Sequence, residues 1–86
     1  MTAIPFKVVD ADRDIRMGLT ANSMTELLDR VRYKFQIDPS TPIRIVLEQD
    51  GTEIDDNDYF VTLEPDTSLM VLCYQEKWTP YKSMMS

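Results

Sequence analysis

Eighty-six residues leave room for one domain with a small hydrophobic core, and the 43% hydrophobic and 28% charged fractions are those of a folded chain, not a disordered one. A formal net charge of −6, from fifteen acidic and nine basic side chains, argues against direct binding to nucleic acid or an anionic membrane, since both depend on Lys and Arg displacing counterions. The sequence has no histidine, which removes the commonest general base and metal ligand and, with it, Ser/His and Cys/His nucleophile pairs.

Ile4-Pro5-Phe6-Lys7-Val8-Val9 sets Phe6 and Val8 against Lys7, the alternation of a half-buried strand, with Pro5 suited to its start or to a sheet edge. The polar run from Asp10 to Asp14 reads as a turn. Ile15 to Thr20 then repeats the alternation with Ile15, Met17 and Leu19 inward, which predicts a hairpin carrying Lys7 and Arg16 on its solvent face. Ser23-Met24-Thr25-Glu26 is a capping box, in which the Ser23 hydroxyl and the Glu26 carboxylate satisfy amides that the first helical turn leaves unpaired. Met24, Leu27, Leu28, Val31 and Phe35 continue the helix as one apolar stripe that stops before Asp38-Pro39. Arg30 and Lys34, four apart, share one flank of that stripe; Arg32 lies on the other.

Ile43 to Glu48 reads as a strand, Asp50-Gly51 as a two-residue hairpin turn, and Thr52-Glu53-Ile54 as a short return strand. Asp55 or Asp56 then caps a short helix through Asp58, Tyr59, Phe60 and Leu63, closed by Glu64-Pro65-Asp66, with Tyr59 and Phe60 expected in the core. Leu69 to Tyr74 is a continuous apolar run, expected in mid-sheet and covered on both faces. At six residues it is far short of the ~20 a membrane helix needs, so no membrane-spanning segment is expected. Cys73 in this run reads as a small buried hydrophobe; as the lone cysteine it cannot form an intramolecular disulfide. With no signal-like stretch before Ile4, a cytoplasmic or nuclear setting is the expectation. Trp78 suits either packing back on the sheet or marking a linker. Residues 1–80 form the expected domain, and 81–86, including Met84-Met85, a tail or the start of a linker.

Hairpin, helix, hairpin, short helix, central strand is the order of an α+β fold: a ubiquitin-like roll (β-grasp), ββαββαβ, with a mixed sheet, one long helix and one short helix. Between Val46 and Phe60 stand six carboxylates, Glu48, Asp50, Glu53, Asp55, Asp56 and Asp58, and no cation. Calcium is a poor fit, because Gly51 directly follows Asp50 and does not sit at the sixth loop position of an EF-hand. Paired carboxylates do acid–base work only in a concave apolar setting, which an exposed turn does not supply, so neither catalysis nor a cofactor is expected. From Ile45 through Glu76 there are nine acids and no base, whereas seven of the nine bases lie between Lys7 and Arg44. The plain reading of such a run is a solvated face whose Asp residues cap a helix. Segregation adds another: the acidic face of one molecule docked on the basic face of the next, a heterologous contact that need not close.

Val46-Leu47-Glu48-Gln49-Asp50-Gly51-Thr52-Glu53-Ile54-Asp55, followed by Asp58-Tyr59-Phe60, Leu63, a strand and Glu76-Lys77-Trp78, resembles the CIDE-N domain, also called the CAD domain. That is the N-terminal module of the apoptotic DNA fragmentation factor subunits and of related cell-death-inducing effectors. Ile4-Pro5-Phe6-Lys7-Val8 and Ser23-Met24-Thr25-Glu26-Leu27 fall where the family has its first strand and helix, so the likeness spans about residues 4 to 80. The resemblance implies binding to other CIDE-N domains, self and heterotypic, including head-to-tail homo-oligomers, in regulation of an apoptotic DNA-fragmentation nuclease whose catalytic region is not in this chain. It maps an acidic face onto Glu48, Asp50, Glu53, Asp55, Asp56 and Asp58, with Glu64 and Asp66 nearby, and a basic face onto Lys7, Arg16, Arg30, Arg32 and Lys34. Asp-Asp-Asn-Asp-Tyr-Phe and Glu-Lys-Trp look most like the inhibitor subunit and Tyr33 to Ile37 more like the nuclease subunit, which leaves the subtype open. A PB1-type scaffold domain, with Lys7 as its key cation, is the alternative, although the acidic stretch lacks that family's alternating Asp-x-Asp-Gly-Asp pattern.

Overall fold

The computed structural model describes residues 3–80; the expected tail at 81–86, with Met84-Met85, lies outside them. Strands β1 (Ile4–Val9) and β2 (Arg16–Ala21) form the first hairpin, with Lys7 opposite Gly18 and Val9 opposite Arg16. Asp10 Oδ1 accepts the amides of Asp14 and Ile15 across the turn, so strand alternation starts only at Arg16. Ile15, expected inward, is therefore 45% exposed.

Helix α1 (Met24–Phe35) begins as the capping box requires, with the Ser23 hydroxyl accepting the Glu26 amide at 3.1 Å. The reciprocal bond differs by one residue, since the Glu26 carboxylate accepts the amide of Asn22 and not that of Ser23. Gln36, in the left-handed region at φ 55°, ends the helix, and the Ile37 amide donates back to the Arg32 carbonyl at 2.9 Å.

Strand β3 (Ile43–Leu47) and strand β4 (Thr67–Cys73) pair antiparallel, β4 runs parallel to β1, and the sheet order is β2-β1-β4-β3. As its apolar run requires, β4 is central: Leu69, Met70, Val71 and Leu72 are all at most 2% exposed, but Tyr74, expected in the same covered run, lies past the end of the strand and is 67% exposed. After β3 the chain turns through four residues, Glu48 to Gly51, closed by the Gly51 amide on the Leu47 carbonyl and the Leu47 amide on the Thr52 carbonyl, both 2.8 Å. This is longer than the two-residue turn expected of Asp50-Gly51. The return strand shrinks to one bridge, Val46 to Glu53, because the chain leaves the sheet to bury Ile54 and start helix α2 (Asn57–Phe60).

Alternation along the strands divides the core into two layers. Phe6, Val8, Leu19, Ala21, Ile45, Leu69 and Val71 face α1, where Leu27, Val31, Ile54 and Phe60 complete the layer. Phe6 and Phe60 meet with ring centroids 5.4 Å apart and tilted by 54°. On the other side Val9, Val46, Met70 and Leu72 are covered by Ala11 and Trp78. Each fully buried side chain of this size contributes roughly 1.5–3 kcal/mol. Trp78 therefore packs back on the sheet: its Nε1 donates to the Glu48 carbonyl at 2.9 Å.

Candidate interaction faces

Strand order sets where charge can gather. β2 and β3 are opposite edges of the sheet, three strand spacings or about 14 Å apart. The acidic segment belongs to the β3 edge, where Glu53 bridges to Val46 and Asp55, Asp56 and Asp58 follow into α2. Asp56 is the cap, its Oδ1 accepting the Tyr59 amide at 2.8 Å. Asn57 Oδ1 accepts the Met24 amide at 3.0 Å, which anchors α2 beside the start of α1. Among the described residues the side chains of Asp55, Asp58 and Glu64 are exposed and have no hydrogen-bond or ion-pair partner. Glu53 pairs with Arg44 at 3.5 Å, but both are nearly half exposed and such a pair adds little. Asp50 is held by its own turn: its Oδ1 accepts the Thr52 amide, and that bond keeps its carboxyl below the ordinary carboxylate range.

The basic side forms at the β2 edge, which α1 overlies. Arg30 Nη1 donates to the Thr20 carbonyl at 3.1 Å and its Nη2 to Glu26 Oε2 at 2.9 Å, so the guanidinium is fixed against β2. Lys7, Arg30 and Lys34 line one shallow groove. Gly18, across from Lys7, contributes no side chain and leaves the groove open. Lys7 and Lys34 are exposed and make no ion pair among the described residues.

Four of the expected site residues stand elsewhere. Arg32, on the far flank of α1, donates to the carbonyls of Asp38 and Thr41 at 2.9 and 2.7 Å and secures the connection to β3. Asp66 lines the Lys7 groove, inside the basic side. Its left-handed backbone, φ 68°, lets its amide donate to the Pro5 carbonyl at 2.8 Å, which holds it beside β1. Glu48 and Arg16, assigned to opposite faces, bind each other: Arg16 Nη1 reaches Glu48 Oε1 at 3.1 Å and Arg13 Nε reaches Oε2 at 2.9 Å. Burial alone would raise the Glu48 carboxyl, but the hydrogen bonds from Arg16 and Arg13 outweigh it and hold the group below its usual range.

Tyr59, expected in the core beside Phe60, is 38% exposed. With Leu47, Thr62, Leu63 and Glu64 it lines a second groove, of about 700 Å³, at the start of β4. Arg13 and Arg44 were not anticipated; one lies in a polar turn and the other on a strand edge, and neither position carries a periodic signal. The Cys73 thiol is half-buried, and burial first and Glu76 second push its pKa up, away from nucleophilic reactivity.

A mixed four-stranded sheet crossed by one long helix, with Lys7 and Lys34 free toward the β2 edge and Asp55 and Asp58 free beyond the β3 edge, defines a ubiquitin-like domain suited to pairing with another protein domain. The family model of the CIDE-N domain matches residues 3–79, and the chain belongs to that family. It is 43% identical over 79 residues to lipid transferase CIDEB of Homo sapiens, covering 92% of this chain and 35% of that protein. To lipid transferase CIDEC of Mus musculus it is 40% identical over 78 residues, 91% of this chain and 32% of that protein. The chain thus spans about a third of the length of the curated relatives it matches. The crystal structure of the DREP2 CIDE domain superposes with a TM-score of 0.89 at 39% identity, over 93% of this chain and all of that one. The NMR structure of the heterodimeric complex between the CAD domains of CAD and ICAD matches with a TM-score of 0.79 at 36% identity, over 88% of this chain and 77% of that one. In that complex domains of this kind pair with each other.

Proposed function

We propose that this domain is a docking module, itself without catalysis, that binds other CIDE-N domains, its own copies included, in a head-to-tail manner. The acidic β3 edge of one copy, with Asp55 and Asp58, seats on the Lys7, Arg30 and Lys34 groove of the next. One observation carries this reading: the unpartnered cations Lys7 and Lys34 gather with Arg30 in one groove toward the β2 edge, while the unpartnered carboxylates Asp55 and Asp58 follow the β3 edge. Complementary faces on opposite edges leave each docked pair with one free face of each sign, so the contact propagates. Such charge complementarity acts mainly on partner choice and association rate.

The pairing of CAD with ICAD domains supports the docking step and the expected link to a DNA-fragmentation nuclease. A second reading of the effector rests on sequence: the relatives at 43% and 40% identity are named lipid transferases, so assembly of a lipid-transfer protein is the other use for the same docking step. Membership of the CIDE-N family replaces the PB1-type alternative. Light scattering over a range of protein and salt concentrations tests the docking step. Association is expected to rise with concentration and weaken with salt, because exposed charges are screened over ~8 Å at physiological ionic strength. Asp55→Lys combined with Asp58→Lys should leave a folded monomer with an unchanged thermal midpoint. Undiminished oligomers in that variant would rule the acidic edge out.

A further inference from the structure

Charge pairing gives no role to the most exposed of the large apolar side chains among the described residues. Tyr33 is 82% exposed on the outward surface of α1, one residue from Lys34 and three from Arg30, and nothing in its own copy covers it. An open groove stands next to the acidic segment, floored by Leu47, Tyr59 and Leu63 and rimmed by Thr62 and the unpaired Glu64. The two features flank the two halves of the docking surface, Tyr33 beside the cations and the groove beside Asp58.

We propose that Tyr33 is the apolar anchor of the head-to-tail contact, inserting its ring into the Leu47, Tyr59 and Leu63 groove of the next copy. This rests on the docking reading above and names the residue that holds the contact once charge has steered it. Charge complementarity selects a second copy as the occupant: the residue following Tyr33 is Lys34, and of the two acids lining the groove Glu48 is engaged by Arg13 and Arg16 while Glu64 is unpaired. A ring seated on the apolar floor brings the ammonium and the carboxylate to the same rim, and the phenolic hydroxyl can donate to Glu64. Tyrosine suits the task because it buries a large rigid surface at small entropic cost, and interface energy concentrates in such anchors and not in the screened charges around them.

Salt separates the anchor from the charges. Tyr33→Ala, which removes an exposed side chain from a helix and substitutes the best helix former, should weaken self-association at least tenfold at low and high salt alike. Tyr33→Phe should retain most of it. Thr62→Trp, which fills the groove from its rim, should weaken association to the same degree, and the double variant should be no weaker than either single one, since both remove one contact. Wild-type association in Tyr33→Ala, together with loss in Asp55→Lys/Asp58→Lys, would overturn the anchor and leave the charge reading standing. Additive losses in the double variant would also overturn it. No change in any variant would overturn both readings.

Discussion

Glu48 shows how a single residue can change its meaning between chain and fold. In the sequence it is one of six carboxylates on an acidic stretch; in the structure it is the acceptor for two arginines more than thirty residues away. Its side chain is 14% exposed and that of Arg13 10%, so this is a part-buried, charge-assisted contact, whereas Arg16 at 47% is screened by water and adds less. Glu48→Gln should therefore cost about 1–3 kcal/mol of stability, most of it from the Arg13 bond, in a denaturant titration at neutral pH. The pH dependence follows from the direction of the shift. The Glu48 carboxyl is depressed in the folded state, so its contribution is complete above the ordinary value of 4.5 and is lost as pH falls through the folded value. Thermal melts of the wild type and Glu48→Gln should differ near neutrality and converge in acid. A gap that stays constant into acid would mean that Glu48 acts through packing and not through its charge.

Among the elements, the loop from Glu48 to Gly51 and the segment after β4 behave as one unit. Trp78 binds the Glu48 carbonyl, Arg13 Nη2 donates to the Thr79 carbonyl at 2.9 Å, and Arg44 Nη2 donates to the Glu76 carbonyl at 2.9 Å. Gly51 sits under the indole with φ 79°, and a Cβ there would come within 2.7 Å of Trp78 Cδ2. Gly51→Ala should therefore be penalised twice, by the left-handed backbone and by displacement of the ring, for a combined loss of about 2–4 kcal/mol. Trp78 is the only tryptophan, so its emission should shift to the red as it moves into water. Gly18→Ala is the control. Its Cβ would meet nothing closer than the Phe6 carbonyl oxygen at 3.9 Å, and its stability should change by less than about 1 kcal/mol. Equal losses in the two variants would show that glycine in the turn is not needed for Trp78. The Asp50-Gly51 pair did mark this turn in the sequence. What lay beyond reach was its length, since the tryptophan that shapes it arrives some thirty residues later.

For the whole molecule the consequence of opposed edges is polarity. A variant disabled at the acidic edge, Asp55→Lys with Asp58→Lys, still presents Lys7, Arg30 and Lys34; a variant disabled at the basic edge, Lys7→Glu with Lys34→Glu, still presents its acids. Each alone should be monomeric, and an equimolar mixture should stop at a one-to-one complex, because neither free end can bind again. Sedimentation of the mixture would show a single dimer species. Long oligomers in either variant alone, or in the mixture, would contradict a two-faced assembly. Arg32 and Arg16 are left out of this design because one secures the loop after α1 and the other is engaged with Glu48.

By itself the sequence determined the elements and their order. Helical and strand periodicity, a capping box and an apolar central strand are local patterns, each read within a dozen residues, and they placed the fold and most of the core, though not Ile15, Tyr59 or the extent of the return strand. Local order also segregated the charges, with nine of the fifteen acids and no base between Ile45 and Glu76 and seven of the nine bases before Ile45. Only the tertiary structure decided which of those charges are free. Ion pairs such as Arg13 with Glu48 join residues 35 apart, and no periodicity reports such a pairing. Sheet order, too, is a long-range property: placing β2 and β3 at opposite edges turned one acidic run and one basic run into two separate faces. Trp78 was undecided in the chain for the same reason, because its partners lie on strands and a loop that only folding brings together.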